Sequence, residues 1–313
     1  MSIYVSGSLA YDRIMTFPGK FQDHILPEKL HILNVSFMVD RMEEKRGGCA
    51  GNIAYTLALL GEKPILLAAG GRDFANYAEF LTGLGLTLEG IRLTEDVFTA
   101  TCNITTDFQS NQITGFHPGA MTLGSEYTFP NLDPAADIAI VSPGNLDDMR
   151  RLPKYFREKK VPYIYDPGQQ LPVLSGDELL DGLTGSFAMT TNDYELNLIC
   201  NKTGKTKAEL QTRTQWLVTT YGEKGSAING DTFVTIPAVP PRQVVDPTGA
   251  GDAHRGGLIK GLRLGLSMPE AACMAATAAS FAVEEYGTQA HSFDKATFLA
   301  RHTSAFPDSI LPW

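Results

Sequence analysis

Short runs of apolar residues alternate with amphipathic stretches along most of the chain. Each run is four to six residues long and rich in aliphatic or aromatic side chains, which is typical of buried strands, and the runs lie at 3–6, 64–69, 138–142, 163–166, 187–190 and 216–220. Amphipathic patterns between several of these runs indicate helices. This alternation predicts an α/β fold in which a mostly parallel central sheet is flanked by helices, with ligands at the C-terminal ends of the strands.

Two stretches depart from this alternation. Residues 13–42 and 97–118 carry Thr, Phe, Val and Ile among alternating polar positions, and no helical pattern follows either stretch. Such a pattern is typical of strands with one exposed face, so we expect antiparallel strands that form a small β-sheet lid on the main sheet. Because no repeat or long linker separates them from the rest, we expect one domain spanning residues 1–313, with the lid built from these two excursions.

The composition argues against several classes of protein. The chain has 313 residues, 43% of them hydrophobic, and a formal net charge of −9 with a pI near 5.2. An acidic chain without basic runs is expected to bind neither nucleic acid nor a membrane surface, so small-molecule partners are expected. Four scattered cysteines without a C-x-x-C pair, and an N-terminus without a basic leader, favour a reduced cytoplasmic location.

The segment 246–258 carries the clearest chemistry, with the sequence Asp-Pro-Thr-Gly-Ala-Gly-Asp-Ala-His-Arg-Gly-Gly-Leu. We predict a short strand at 243–245, a glycine turn, and then a helix. Small residues in the turn leave backbone N–H groups of the first helical turn free to bind an oxyanion, and these residues are Gly249, Ala250 and Gly251. A carboxylate beside that anion is expected to accept a proton from an attacking hydroxyl, which assigns the role of base to Asp252. The alternative is an ordinary capped helix after a glycine turn.

A second glycine-rich segment, 46–61, begins Arg-Gly-Gly-Cys-Ala-Gly-Asn and continues as an Ala/Leu-rich helical pattern. The Gly-Gly-x-x-x-Asn element at 47–52 and the Asp-x-Thr-Gly-Ala-Gly-Asp element at 246–252 lie about 200 residues apart. With both elements at this separation, the chain resembles the ribokinase-like (PfkB) family of sugar and nucleoside kinases. Further segments resemble bacterial adenosine and nucleoside kinases, namely 7–12, 33–40, 116–121, 166–171 and 191–195.

The resemblance implies an acceptor site with a sugar end and a base end. Matching positions in the family hold the sugar, which gives that role to Asp12, Gly48 and Asn52; a turn Asp and a capping Asn are the alternative. For the base, we expect stacking by Phe116 and Phe37, an amide contact from Gln170, and support from Ser8 and Ser36. Cys102 stands where a further lid aromatic is expected. His254 stands where the family usually has Phe or Tyr, and we expect it to pack in the interior.

The resemblance also implies a donor site for ATP. In the family, an Asn-x-x-Glu element orients Mg²⁺ largely through water, which assigns Asn192 and Glu195 to this cation; a helix-capping pair is the alternative, and the two roles can coexist. Further donor-site candidates are Thr219, Thr220, Gly222 and Arg255. For Arg255, an ordinary surface arginine is the alternative. A monovalent cation, K⁺ in particular, is a hypothesis for Asp246, Thr248 and Gly287.

These expectations converge on one reaction. We expect transfer of the ATP γ-phosphoryl group to the 5′-hydroxyl of a ribonucleoside, with adenosine converted to AMP in purine salvage. A broad nucleoside kinase acting on inosine, guanosine or cytidine, or a kinase for ribose or fructose, is the alternative. A non-catalytic nucleoside-binding protein is disfavoured by the intact Asp252. A homodimer formed through the lid is a further expectation.

Overall fold

The computed structural model describes residues 1–25, 31–32 and 34–313. These residues form thirteen strands: β1 (Ile3–Ser6), β2 (Ala10–Thr16), β3 (Arg41–Gly47), β4 (Ile65–Gly70), β5 (Ile91–Leu93), β6 (Ala100–Thr106), β7 (Gln112–His117), β8 (Ile138–Val141), β9 (Tyr163–Tyr165), β10 (Ala188–Asn192), β11 (Trp216–Thr220), β12 (Ser226–Asn229) and β13 (Phe233–Ile236). They also form nine helices: α1 (Cys49–Leu59), α2 (Ala75–Gly83), α3 (Leu146–Glu158), α4 (Gly176–Leu183), α5 (Asp193–Thr203), α6 (Lys207–Gln211), α7 (Ala250–Arg263), α8 (Met268–Ala282) and α9 (Lys295–Ala305).

The main sheet has nine strands within the described residues, in the order β13-β12-β11-β10-β9-β8-β1-β4-β5. The seven strands from β11 to β5 are parallel to their neighbours, and β12 and β13 add an antiparallel edge. The six apolar runs predicted as strands are confirmed as β1, β4, β8, β9, β10 and β11, with ends that differ by no more than two residues. Their C-terminal ends share one edge, where parallel α/β sheets bind ligands.

Both faces of this sheet are buried, which explains the continuous apolar runs. On one face, Val5 packs in a core cluster with Ile53 of α1 and Leu258 of α7. On the other, Tyr4 packs in a second cluster with Phe156 of α3. Alternate side chains of one strand therefore serve opposite faces. Within the described part of the chain, no helix has the length and apolarity needed to cross a bilayer.

The helix that carries the predicted base, α7, packs closely against α8 because two of its glycines face that helix. A Cβ at Gly257 would lie 2.7 Å from the Cα of Ala275, and one at Gly261 would lie 2.6 Å from the Cα of Ala271. Neither clash can be relieved by rotating a side chain, so glycine sets the distance between the two helices. His254 of α7 is buried, in agreement with a packing role, and burial lowers its pKa to about 3.

The separate small sheet has the order β3-β2-β6-β7. The first predicted excursion, 13–42, differs from the structure because β2 begins at Ala10 and β3 continues to Gly47. The prediction that the strands of this small sheet are antiparallel was wrong for one pair, since β2 and β6 run parallel. These two strands enter the sheet from separate excursions of the chain, so no hairpin forces them to be antiparallel. Residues 26–30 and 33 of the first excursion lie outside the described residues.

The predicted strand at 243–245 is also wrong. These residues form no ladder, and the side chains of Val244 and Val245 are 69% and 47% exposed. A hydrogen bond from the Val245 N–H to the Val283 carbonyl (2.8 Å) holds the segment against the end of α8. The apolar pair therefore marks a tethered loop that leads into the glycine turn.

Candidate active site

A cavity of about 990 Å³ lies between the C-terminal edge of the main sheet and the small sheet. It is lined by residues from both, so the two sheets form its opposite walls. Nine of the predicted site residues line it: Ser8, Asp12, Gly48, Asn52, Phe116, Gln170, Thr248, Gly249 and Asp252. The cavity therefore brings together segments from the two ends of the chain.

The first turn of α7 forms the floor of this cavity. Gly249 precedes the helix with a φ of 81°, a conformation that glycine adopts without strain. The Ala250 N–H donates back to the Pro247 carbonyl (3.2 Å). Gly251 and Asp252 occupy the second and third helical positions, whose N–H groups have no partner within a helix. Their N–H groups, together with the helix dipole, suit an anion bound in the cavity.

The carboxylate of Asp252 is held by one short contact. Asn52, in the first turn of α1, donates its Nδ2–H to Asp252 Oδ2 at 2.8 Å. Burial raises the pKa of Asp252, whereas the charge of Arg255 and this hydrogen bond act to lower it. The nearby carboxylate of Glu195 also raises the pKa. Asp252 is therefore a carboxylate of increased basicity that keeps one oxygen, Oδ1, outside the contact with Asn52.

The paired glycines place α1 beside the end of β1. Gly48 has a φ of 89°, and a Cβ there would lie 2.5 Å from the Ser8 carbonyl oxygen. This close approach allows the N–H of Cys49 to donate to Ser8 Oγ (3.0 Å). Ser8 thus caps the N-terminus of α1, so its hydroxyl supports the cavity wall in addition to lining it.

The small sheet presents three side chains in a row across its strands. Asp12 of β2 lies opposite Cys102 of β6, which lies opposite Phe116 of β7. All three line the cavity. Burial raises the pKa of Asp12, and among the described residues its carboxylate has no hydrogen-bond partner. The Phe116 side chain is 53% exposed, which leaves its ring available for contact with a ligand.

The remaining residues predicted to recognise a base have different positions. Gln170 lines the cavity, but one of its amide protons is donated to the Gly144 carbonyl (2.8 Å). Phe37 packs instead against the rings of Phe17 and Phe21, with centroid distances of 4.9 and 5.1 Å. The structure therefore does not bring Phe37 into the cavity lining, nor its exposed neighbour Ser36.

The predicted donor-site residues lie beyond this lining, at the ends of β10 and β11. Asn192 Oδ1 accepts from the Glu195 N–H (2.7 Å), and Glu195 Oε2 accepts from the Asn192 N–H (2.8 Å), so the two form a capping box. Glu195 Oε1 takes no part in this box, and the charge of the Glu195 carboxylate acts to raise the pKa of Asp252. One carboxylate oxygen and one amide oxygen fit a hydrated Mg²⁺, which needs few direct protein ligands.

The end of β11 adds two hydroxyl groups, and the loop after it adds a glycine. Thr219 is fully buried and its Oγ1 has no hydrogen-bond partner among the described residues. Thr220 Oγ1 lies 3.4 Å from the Thr191 carbonyl, and Gly222 has a φ of 58°. The tight turn at Gly222 exposes backbone groups at the same edge of the sheet as α5.

Arg255 is not the surface arginine that was the alternative, and its contact with a donor phosphate stays a prediction. Its side chain is only 12% exposed and is paired with Asp166, at the end of β9, whose side chain is 2% exposed. The Arg255 Nη2–H donates to Asp166 Oδ1 at 2.9 Å. Burial raises the pKa of Asp166 to about 6, and the adjacent carboxylates raise that of Arg255. The guanidinium is thus held beneath Asp252 by a buried partner.

The residues named for a monovalent cation are joined by hydrogen bonds. Asp246 Oδ1 accepts from the Thr248 N–H (2.9 Å), and Asp246 Oδ2 accepts from the Gly287 N–H (3.1 Å). Asp246 therefore ties the glycine turn to the loop after α8. Both carboxylate oxygens of Asp246 thus accept backbone N–H groups, and the monovalent cation at these residues stays a prediction.

Sequence reasoning assigned no role to Asp166 or Gln289, although both adjoin the predicted base. Gln289 Nε2 donates to Asn52 Oδ1 at 3.0 Å. Asp166 could have been found from its place directly after a predicted strand, where the other site residues lie. Gln289 follows no strand, and only the folded chain brings it to α1.

Comparison with known proteins identifies the class. The model of the pfkB family of carbohydrate kinases matches residues 12–296, and the chain therefore belongs to this family. A nucleoside kinase from Methanothermobacter thermautotrophicus is 31% identical over 275 residues, which is 87% of this chain and 89% of that protein.

Solved structures agree with this assignment. The Burkholderia thailandensis nucleoside kinase in complex with inosine has a TM-score of 0.86 and 37% identity, over 98% of this chain and 97% of that one. The Methanocaldococcus jannaschii nucleoside kinase has a TM-score of 0.87 and 28% identity, over 97% and 99%. The protein is thus a phosphotransferase that acts on a hydroxyl group, and it groups with the nucleoside kinases of the ribokinase-like fold.

Proposed function

We propose that the protein transfers the γ-phosphoryl group of ATP to the 5′-hydroxyl of a ribonucleoside, with adenosine as the preferred substrate. One observation carries this proposal. A single cavity is lined by Asp252, a carboxylate at a helix N-terminus that suits an anion, by Asp12, whose carboxylate has no partner among the described residues, and by the exposed ring of Phe116. Phosphorylation of a sugar that carries a base requires a reactive end, where Asp252 lies, and a binding end for the sugar and the base, where Asp12 and Phe116 lie.

In the proposed reaction, the acceptor hydroxyl oxygen forms a bond to the γ-phosphorus as the bond from that phosphorus to the ADP oxygen breaks. Asp252 Oδ1 accepts the hydroxyl proton, while the N–H groups of Gly251 and Asp252 stabilise the negative charge on the transferring group. When bound, Mg²⁺ would neutralise charge on the triphosphate, and Asn192 and Glu195 would orient its water ligands. Positioning and electrostatics supply most of the acceleration.

The acceptor is proposed to lie along the wall formed by the small sheet. Asp12 has two carboxylate oxygens without partners among the described residues for the vicinal hydroxyls of a ribose, and Gly48 and Asn52 line the same cavity. Phe116 offers a face for a purine, and Gln170 keeps one amide proton and its carbonyl oxygen for the edge of the base. These contacts orient the 5′-hydroxyl toward α7.

Equal use of several nucleosides is a second candidate. The cavity of about 990 Å³ is large for one nucleoside, and Cys102 offers less contact area than an aromatic residue between Asp12 and Phe116. The Burkholderia thailandensis enzyme was solved with inosine and with ADP and inosine, which supports a purine nucleoside other than adenosine equally well. A base held by one stacking face and few hydrogen bonds is selected weakly.

The role of Asp252 is tested by Asp252→Asn. The amide is nearly isosteric and still accepts the hydrogen bond from Asn52, but it does not take up a proton, so kcat is expected to fall by about 10²- to 10⁴-fold. Nucleoside affinity, measured by calorimetry, is expected to stay within about threefold of wild type, because the sugar and base contacts are unchanged.

A matched control is Asp147→Asn, which removes a carboxylate that lines the same cavity but is 83% exposed and, among the described residues, pairs with Arg150. Because exposed pairs contribute little, its kcat is expected to remain within about twofold of wild type. Normal turnover by Asp252→Asn would exclude this residue as the base.

A further inference from the structure

Tyr77 on α2 begins a directional chain of hydrogen bonds that ends at Asp252. Its hydroxyl is fully buried and lies 2.9 Å from the carbonyl oxygen of Gly47. A backbone carbonyl only accepts hydrogen bonds, so the single hydroxyl proton of Tyr77 must be donated to Gly47. Any other group that contacts this hydroxyl must therefore act as a donor toward it.

Gln289 is the group that does so. Its amide nitrogen lies 2.6 Å from the Tyr77 hydroxyl and 3.0 Å from Asn52 Oδ1. Because the hydroxyl can only accept, the –NH₂ group of Gln289 must point toward it, and its second proton then goes to Asn52. Asn52 must present its carbonyl oxygen to Gln289, which directs its own –NH₂ group to Asp252 Oδ2 at 2.8 Å. The Gly47 carbonyl thus fixes every donor in the chain.

Close packing prevents the groups in this chain of hydrogen bonds from exchanging their partners. Asn52 is only 5% exposed, so water does not readily replace its partners. A Cβ on Gly51 would lie 1.9 Å from the Tyr77 hydroxyl and 3.0 Å from Gln289 Nε2. Glycine at 51 therefore gives the hydroxyl and the amide room to meet beside α1. An ordered and water-excluded chain of this kind has one orientation, and it is the one that donates to the base.

We propose that Gln289 is a positioning residue for phosphoryl transfer, which fixes the amide of Asn52 so that Asp252 receives a hydrogen bond on Oδ2 and keeps Oδ1 for the acceptor hydroxyl. This inference rests on the proposed role of Asp252 as base. Through Asn52, Gln289 stabilises the ionised carboxylate, and it also keeps the Asn52 carbonyl oxygen from turning toward that carboxylate.

The test compares Gln289→Glu with Gln289→Met, which have similar volumes. Ionised Glu has acceptors only, so it turns the –NH₂ group of Asn52 toward itself and the Asn52 oxygen toward Asp252. Met lacks the two N–H donors of Gln289, so it no longer fixes which way the amide of Asn52 points. We expect the pKa of Asp252 to rise by about one unit in the Glu variant and by about half a unit in the Met variant.

Other charged groups near Asp252 are Arg255 and Glu195, with Asp166 and the buried thiol of Cys49 interacting more weakly. All four remain in both variants. Gln289→Glu also adds a negative charge, which raises the pKa of Asp252 in addition. Gln289→Met adds no charge, so the change in the pKa of Asp252 in that variant reports on the amide orientation, provided that the fold is intact. Thermal unfolding of each variant checks this condition.

The pKa of Asp252 is measured by carbon-13 NMR titration of protein labelled at the aspartate carboxyl carbons, with Asp252→Asn used to assign the resonance. The acid limb of kcat/KM provides a second reading and is expected to move upward with the pKa. Thr56→Val is the matched control, since it removes a buried hydroxyl from α1 near His291 without touching the chain from Tyr77 to Asp252. It is expected to alter thermal stability and leave the Asp252 titration in place.

An unchanged Asp252 titration in Gln289→Met, with folding intact, would overturn the positioning role, whatever the charged Glu variant shows. An equal displacement by Thr56→Val would also overturn it, because general loosening of the site would then explain the result. The titration does not require turnover. A wild-type protein that fails to phosphorylate nucleosides would contradict the proposed function, whereas an unchanged titration with normal wild-type activity would contradict only the role of Gln289.

Discussion

Replacing Arg255 with methionine is expected to destabilise the protein and to displace the pH dependence of turnover, through two separable effects. Arg255 is the partner of Asp166, and both side chains are removed from water, with exposed fractions of 12% and 2%. Methionine fills much of the same space without a charge. The substitution therefore leaves the Asp166 carboxylate buried, and it also removes the positive charge beneath Asp252.

The stability effect follows from the burial of the pair. Removing one partner of a buried ion pair leaves an uncompensated charge and destabilises the protein by about 3–5 kcal/mol. Water screens this charge little, because both side chains are largely buried. Replacing both partners with apolar residues of similar size is often neutral. The double variant Arg255→Met/Asp166→Leu is thus expected to recover most of the lost stability, which urea unfolding measures as the free energy of unfolding.

The catalytic effect is expected to persist in the double variant. The charge of Arg255 lowers the pKa of Asp252 against the opposite effect of burial. Without that charge the pKa rises, so a larger fraction of Asp252 is protonated and unable to accept a proton at a given low pH. The acid limb of kcat/KM therefore moves to higher pH in both the single and the double variant.

The assay is ADP release across the acid limb, performed alongside urea unfolding of wild type and of the single and double variants. A single variant as stable as wild type would refute the stability argument. A double variant that regained the wild-type pH profile as well as the wild-type stability would show that Arg255 acts only as a structural partner of Asp166.

Three further outcomes are expected. Phe116→Ala should raise the KM for nucleosides about tenfold through lost stacking, and unchanged KM values in steady-state assays would exclude base stacking at this ring. Gly51→Ala should lower the free energy of unfolding by about 1–3 kcal/mol, since its Cβ would lie 1.9 Å from the Tyr77 hydroxyl, and wild-type urea denaturation would contradict that packing. Turnover should be several-fold faster in potassium than in tetramethylammonium salts if Asp246 and its neighbours hold K⁺, and equal rates would exclude such a site.

The residues at strand ends and glycine turns were accessible from the sequence because each is marked by local pattern. Asp12 lies near the start of β2, Gly48 precedes α1 and Asp252 lies in the first turn of α7, so all three are close to the end of an element, and parallel strands collect such positions at one edge. Side-chain partners across the chain were not accessible. Asn52 and Asp252 are 200 residues apart, and Arg255 and Asp166 are 89 apart.

Aromatic residues illustrate the same limit. Phe37 and Phe116 both fall in predicted strands or loops of the small sheet, and nothing local distinguishes a ring that faces a cavity from one that packs on other rings. The neighbours decide the outcome, since Phe17 and Phe21 cover Phe37 while Phe116 has no comparable partner among the described residues. The strand predicted at 243–245 failed for a related reason, because apolar residues in a tethered loop resemble a short strand.

The central claim, that the protein phosphorylates ribonucleosides, is tested most directly by ADP release from Mg-ATP with equal concentrations of adenosine, inosine, guanosine, cytidine, ribose and fructose. The account predicts turnover with nucleosides, fastest with adenosine, and little with either free sugar, because Phe116 and Gln170 then have nothing to bind. Comparable rates with several nucleosides would favour the broad nucleoside kinase. Turnover with ribose or fructose alone, or with none of the six compounds, would contradict the claim.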